Sequence, residues 1–360
     1  MVFTHVGLHC AIEITRKAFT FQVPSLCSHK AFASYAYREY YDVEVLCQNR
    51  QLERALDRLE KLSRAPPKRV YISLLKACNK EKNLSCIHRI RVHTGIHDIN
   101  VSGSLGKQLV MSLVKCGALE DALEIFHESS SRSVFTWTAI ISAFVERGLS
   151  QNALIMYKYM QEDGVEPDDY TFVSLLKACG NIPDLIEGKN IHSSVREMHL
   201  EEDVFVGTTL VSMYGKCGDI QEAENVFVSL RSRNLISWNA MLSAYVDQAV
   251  GKKALLLYCQ MNKEKIVPNC QTILITLQAC GILAEKEEYG IERINKAMAL
   301  TIGQALHAYA RRYKFTNNDY VSNTLVSFYG KCGAITYSED IFLSSSKCNV
   351  VSWTALISSY

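Results

Sequence analysis

Three hundred and sixty residues, 48% hydrophobic and 21% charged, describe a chain that folds around a sizeable core, which excludes disordered and fibrous classes. The 39 basic and 37 acidic residues leave a net charge of +2, so no chain-wide positive field marks a nucleic-acid partner, although an average hides local patches. No charge-free apolar run of about 18 residues predicts a membrane span, and the 13 cysteines contain no C-x-x-C pair, so reduced thiols are expected and neither disulfides nor a metal.

Residues 1–38 hold one acid, Glu13, against Arg16, Lys17, Lys30 and Arg38. This acid-poor, hydroxylated composition predicts an organellar transit peptide over 1–35, for the mitochondrion first and the chloroplast as the alternative. From there on the chain repeats itself. Cys78, Cys179 and Cys280 lie 101 residues apart, as do Cys116 and Cys217, and Trp137 and Trp238. Cys332 and Trp353 follow after 115, which locates an insertion of 14 residues between Cys280 and Gly303. Thiols at equivalent places in successive units do not converge on a metal and read as small buried hydrophobes.

Each unit of 101 subdivides into segments of 35, 31 and 35 residues, marked by YISLLKAC (71–78), LVMSLVKCG (109–117) and TWTAIISAF (136–144) and their later copies. In every segment apolar residues recur at helical spacing in two runs around a Gly-containing turn, as in LVSMYGKCGDIQEAENVF from Leu210 to Phe227. Proline in GVEPD and KIVPN closes the second helix of two segments. One helical hairpin cannot bury its apolar face alone, so the hairpins must stack, which predicts an all-α fold, an α-α superhelix or right-handed solenoid of stacked helical hairpins. In chain order the expected segments are a degenerate first one at 36–67, then 68–102, 103–133, 134–168, 169–203, 204–234, 235–269, 270–318 with the insertion, 319–349, and an incomplete one at 350–360. The insertion, AEKEEYGIERINKAMAL, favours helix and is expected to lengthen a helix or loop between the two helices of its segment, with partner docking as the alternative. Trp137, Trp238 and Trp353 are expected to pack between hairpins.

The fixed order of SLLKAC, Y-G-K-C-G and S-W-[NT]-A-x-[IL]-S-x-Y resembles the plant pentatricopeptide repeat proteins of the class that alternates long, short and standard repeats. The resemblance covers residues 68–360 without a gap. It implies a groove in which each repeat addresses one base of a single strand, through its fifth and last residues, with an apolar second residue against the base. Transferred residue by residue, the readers are Thr138 with Asp168, Thr208 with Asn234, Asn239 with Asn269, and Asn323 with Asn349; Phe135, Phe205, Ile236, Tyr320 and Val351 stand at second positions. Ile72, Val173 and Leu274 at the fifth positions of long repeats cannot hydrogen-bond a base, and Lys107 with Ser133 matches no pairing. In the family's code, Thr with Asp implies G, Thr with Asn implies A, and Asn with Asn a pyrimidine. The expected target is then G, unread, A, pyrimidine, unread, pyrimidine, from the repeat at 134 onward.

The resemblance therefore implies an organellar single-stranded RNA partner, neither DNA nor membrane, no cofactor, and target recognition for C-to-U editing. No catalysis is expected in this chain, because the only H-x-E, at His199–Glu201, has no C-x-x-C after it to complete a zinc deaminase. A deaminase would come from a missing segment or from a deaminase-bearing protein in trans; Tyr360, the eleventh residue of a standard repeat, points to a truncated gene model or a fragment. Transcript stabilisation, splicing or processing is the alternative within RNA binding, and a peptide-binding scaffold the alternative outside it.

Overall fold

The computed structural model describes residues 40–62, 64–101, 103–129, 132–286, 292–344 and 349–360, so the transit-peptide expectation for 1–35 lies outside the described residues. All regular structure among the described residues is helical. The chain divides into two compact units, Met1–Ala143 and Phe144–Tyr360.

In the first unit, helix α1 spans residues 40–48, and α2 (Leu52–Glu60), α3 (Lys68–Glu81), α4 (Leu84–Ile96), α5 (Ser104–Lys115) and α6 (Leu119–Glu128) follow. α7 (Val134–Glu146) begins here and ends in the second unit. Odd-numbered helices are the first of each hairpin and even-numbered ones the second. α3 packs on both α4 and its successor α5, which in turn packs on α6.

The second unit continues with α8 (Ser150–Glu162), α9 (Asp169–Asn181), α10 (Leu185–Glu197), α11 (Val204–Lys216), α12 (Ile220–Ser229), α13 (Leu235–Asp247) and α14 (Gly251–Lys263). α15 (Cys270–Glu285), α16 (Glu292–Arg312), a 3₁₀ turn at Phe315–Asn317, α17 (Asp319–Lys331), α18 (Ile335–Ser344) and α19 (Val350–Ile357) complete it. First helices pack side by side in an unbroken row, α9 on α11, α11 on α13, α13 on α15, α15 on α17 and α17 on α19. From α10 onward the second helices make the other layer, each against its own first helix, and α8 packs on α9.

Local chemistry explains the hairpins. Gly117, Gly148, Gly218 and Gly333 sit between the two helices of a pair with φ between 75° and 84°, a left-handed conformation that costs a residue with a Cβ and ends the first helix cleanly. Asn83, Asp184 and Asp219 then cap second helices by accepting from backbone N–H groups of Cys86, Glu187 and Glu222. Within the row of first helices, Gly215 of α11 faces Ala244 of α13 so closely that an added Cβ would overlap the alanine side chain.

Cys78, Cys179 and Cys280 are fully buried on first helices and form no disulfide, and burial pushes each thiol up to about 12, as expected of small hydrophobes. Trp137 and Trp238 are fully buried and meet Phe126 and Phe227 of the preceding second helix edge-on, at 4.6 and 5.1 Å. Trp353 departs from the expected packing. It meets Phe342 in the same way at 4.7 Å but stays 53% exposed, since no further helix among the described residues packs on α19 as α13 and α15 pack on their predecessors. Buried Tyr–His pairs tie layers together: the Tyr214 and Tyr329 hydroxyls lie 2.8 and 3.0 Å from Nδ1 of His192 and His307. Burial, with Arg311 nearby, lowers His307 to about 4, which favours the neutral ring.

The insertion lengthens both helices of its hairpin. α15 has 16 residues and α16 has 21, where α9 and α10 of the preceding long segment have 13 each. Residues 287–291 between them lie outside the described residues. The H-x-E at 199–201 is occupied structurally, with Glu201 Oε1 2.9 Å from both His192 Nε2 and Arg196 Nε.

Candidate nucleic-acid interface

Four last-position residues of the sequence reading, Asp168, Asn234, Asn269 and Asn349, cap the next first helix. Asn234 Oδ1 accepts from the Ser237 backbone N–H at 3.0 Å, Asn269 Oδ1 from that of Thr272 at 2.9 Å, and Asn349 Oδ1 from that of Ser352 at 3.0 Å. Asp168 Oδ1 does the same for Thr171 at 2.8 Å. Polar residues stand there because a helix start leaves orphan donors that an Asn or Asp side chain satisfies. The cap also fixes each amide. An N–H can only meet the oxygen, so Oδ1 is committed inward and Nδ2 of Asn234, Asn269 and Asn349 faces outward, with no partner among the described residues.

The third residue of the capped helix connects the two reader positions. Thr272, fully buried, donates its hydroxyl within 2.8 Å of Asn239 Oδ1 and 2.9 Å of Asn269 Oδ1, and the Asn239 amide lies 3.4 Å from Asn269 Oδ1. One repeat earlier, the Ser237 hydroxyl lies 2.7 Å from the Thr208 hydroxyl and donates to Asn234 Oδ1 at 3.1 Å. Fifth and last residues, about 30 positions apart in sequence, are thus joined by one buried hydroxyl. The sequence reading missed these bridging residues. Their signal was present as a recurring Asp/Asn-x-x-Ser/Thr at 168–171, 234–237, 269–272 and 349–352, a capping-box spacing.

Asn323 and Asn349 come together differently. Both line one open concavity of about 780 Å³, with Tyr320, Val351 and Leu274 from the preceding first helix. Thr138 is half-buried on α7, its hydroxyl donating to the Val134 carbonyl at 2.8 Å. Thr208 is nearly buried, so its hydroxyl serves the bridge to Ser237 more than the surface. Lys107 lies 3.6 Å over the Phe135 ring, a cation–π contact.

Second-position residues are large, apolar and exposed. Phe135 is 56% exposed, Phe205 70%, Ile236 62%, Tyr320 75% and Val351 61%, an unusual outlay of apolar surface one turn from a polar pair. Tyr170, at the same place in a long segment and 71% exposed, belongs with them and was missed. Among the described residues no group of three or more His, Cys, Asp or Glu side chains could hold a metal ion. Nor is any of their helices long and apolar enough to cross a membrane.

Comparison with known proteins agrees with this geometry. A PPR repeat family model matches residues 132–181 and 233–281, and a PPR repeat model matches 108–134 and 208–235. The chloroplastic pentatricopeptide repeat-containing protein At4g18520 of Arabidopsis thaliana is 31% identical over 80% of this chain and 44% of its own length. The chloroplastic CRR2 is 29% identical over 88% of this chain and 47% of its own, and the mitochondrial At3g13770 is 27% identical over 92% and 51%, both from the same plant. The chain therefore spans about half the length of these relatives. Among solved structures, PPR10 in complex with an 18-nt psaJ RNA element superposes with a TM-score of 0.63 at 14% identity, covering 92% of this chain and 54% of PPR10. A second crystal structure, of PPR10 from maize, gives 0.54 at 17% identity, covering 90% of this chain and 52% of PPR10. The chain belongs to the pentatricopeptide repeat family.

Proposed function

We propose that this chain is a sequence-specific single-stranded RNA-binding protein of an organelle, of the class with alternating long, short and standard repeats, and that it recognises targets for C-to-U editing. The observation that carries the reading is the bridged reader pair: an outward Nδ2 on a fixed cap, a fifth-position group tied to it, and an exposed apolar residue beside both. Chemically, an Asn cap offers a donor to the base edge, and an Asp cap offers a carboxylate oxygen as acceptor. Adenine presents an acceptor at N1, whereas guanine presents donors at N1 and N2. The family code for Thr208 with Asn234, which implies A, follows this polarity. The exposed rings and aliphatic side chains at second positions supply a stacking surface of the kind that holds unpaired bases. The organellar relatives favour an organelle, and editing rests on the repeat class.

Selection of the full chain against a random single-stranded RNA pool, at one stated salt concentration, tests the reading. Asn234→Asp keeps the cap, since Asp and Asn cap equally well, and reverses the hydrogen-bonding polarity presented to the base. The selected motif is expected to change from A to G at one position and nowhere else. A motif indifferent to the substitution removes the assigned register, and no enrichment by folded protein removes RNA binding.

A further inference from the structure

The junction that closes the segment 270–318 is unlike its counterparts. Residues 311–315 read Arg-Arg-Tyr-Lys-Phe, whereas 115 positions earlier the chain reads Arg-Glu-Met-His-Leu and continues Glu-Glu-Asp. In the structure the rings form an array: Tyr309 and Tyr313 lie 4.5 Å apart between centroids, and Tyr313 and Phe315 stack at 5.9 Å with an interplanar angle of 24°. Tyr313 is 49% exposed, and the Arg312 guanidinium lies 6.0 Å from its ring centroid. Arg311, Arg312 and Lys314 are exposed, and no carboxylate among the described residues pairs with them.

The array is held in place between the reader position Asn269 and the second-position residue Tyr320 of the next segment. The Tyr309 hydroxyl reaches to 3.5 Å from the Pro268 carbonyl, next to Asn269 in the chain. On the other side the turn is pinned to α17 by the Ser322 hydroxyl, which donates to the Thr316 carbonyl at 2.8 Å, and it runs directly into Asn318 and the exposed Tyr320. Leu274, the fifth residue of this segment, offers no hydrogen bond to a base.

Resting on the RNA-binding reading above, we propose that this junction is a sequence-independent RNA anchor. The nucleotide that Leu274 leaves unread stacks on Tyr313 and Phe315, and Arg312 and Lys314 neutralise its flanking phosphates. Stacking tolerates any base because every base has a π face, and phosphate contacts carry no sequence information, so this long repeat contributes affinity where its neighbours contribute choice.

The test uses the full chain and a single-stranded RNA carrying the motif that the wild type selects, together with the same RNA made abasic at the nucleotide opposite 270–318. Tyr313→Ala with Phe315→Ala is expected to weaken binding of the intact RNA about tenfold and of the abasic RNA scarcely at all. Arg312→Gln with Lys314→Gln, two exposed positions whose loss leaves the fold alone, is expected to flatten the slope of log K against log salt by about 1.4. Both variants are expected to select the unchanged motif. Affinity and salt slope equal to wild type, in proteins that still select the motif, overturn the anchor and leave base reading intact; the same result with lysate proteins retained through this surface assigns it to a protein partner. A wild type that selects no motif overturns both.

Discussion

The buried hydroxyl at the third position of a first helix has two tasks that are separable by substitution. In Thr272 it completes the cap, with the Asn269 backbone N–H donating to Oγ1 at 3.2 Å, and it holds the Asn239 and Asn269 side chains relative to each other. Thr272→Val keeps the shape and removes the hydroxyl, leaving the two amide oxygens short of one donor. A loss of about 1 kcal/mol in urea denaturation is expected, alongside relaxed preference at the base opposite the repeat 235–269 and unchanged preference elsewhere in the selected motif. Full discrimination in the variant would mean that the two amides hold themselves in place. This bridge was hard to read from sequence because Ser237 and Thr272 sit in motifs, SWNA and TILI, whose obvious content is apolar. A small hydroxylated residue becomes informative only once the cap before it and the helix beside it are known.

Among the elements, the hairpins were legible and their covering was not. Period, turn glycines and prolines are local signals, so the alternation of helices and the burial of Cys78, Cys179 and Cys280 followed from them. Burial of a tryptophan is decided by the helix that arrives next, which a local motif does not contain. The tryptophans illustrate this: they stand in closely similar motifs, SWNA and SWTA, yet Trp238 is fully buried and Trp353 is 53% exposed. Trp238→Ala is expected to cost about 3–5 kcal/mol by opening a cavity against Phe227, and Trp353→Ala less than about 1 kcal/mol, both measured by urea denaturation of the full chain. Equal costs would show that Trp353 is covered in solution by something beyond the described helices. The basic aromatic junction escaped sequence reading for a related reason, since Tyr309 lies on a helix, Tyr313 in a turn and Phe315 in a 3₁₀ segment, and only the fold stacks them.

At the scale of the whole molecule, the proposed base reading is modular, because in a stack each hairpin touches only its neighbours. The net charge of +2 fits the proposed division of labour, in which affinity comes from repeated local contacts and from concentrated patches such as 311–315 and not from a general positive field. Modularity has a sharp consequence for the proposed register. Asn234→Asp changes the third base of the expected target from A to G, and Asn323→Thr converts the pair with Asn349 to Thr with Asn, which changes the sixth from pyrimidine to A. The substituted side chains lie on the caps and first helices of separate hairpins, with α15 and α16 between them, so their effects on binding should add to within about 0.5 kcal/mol. The double variant should therefore select G and A three nucleotides apart, with the intervening bases unchanged, and should bind the RNA carrying both changes as tightly as the wild type binds its own. A shift at one site that disturbs the other would mean that the hairpins are coupled through the stack, and one-base-per-repeat reading would then fail for this chain.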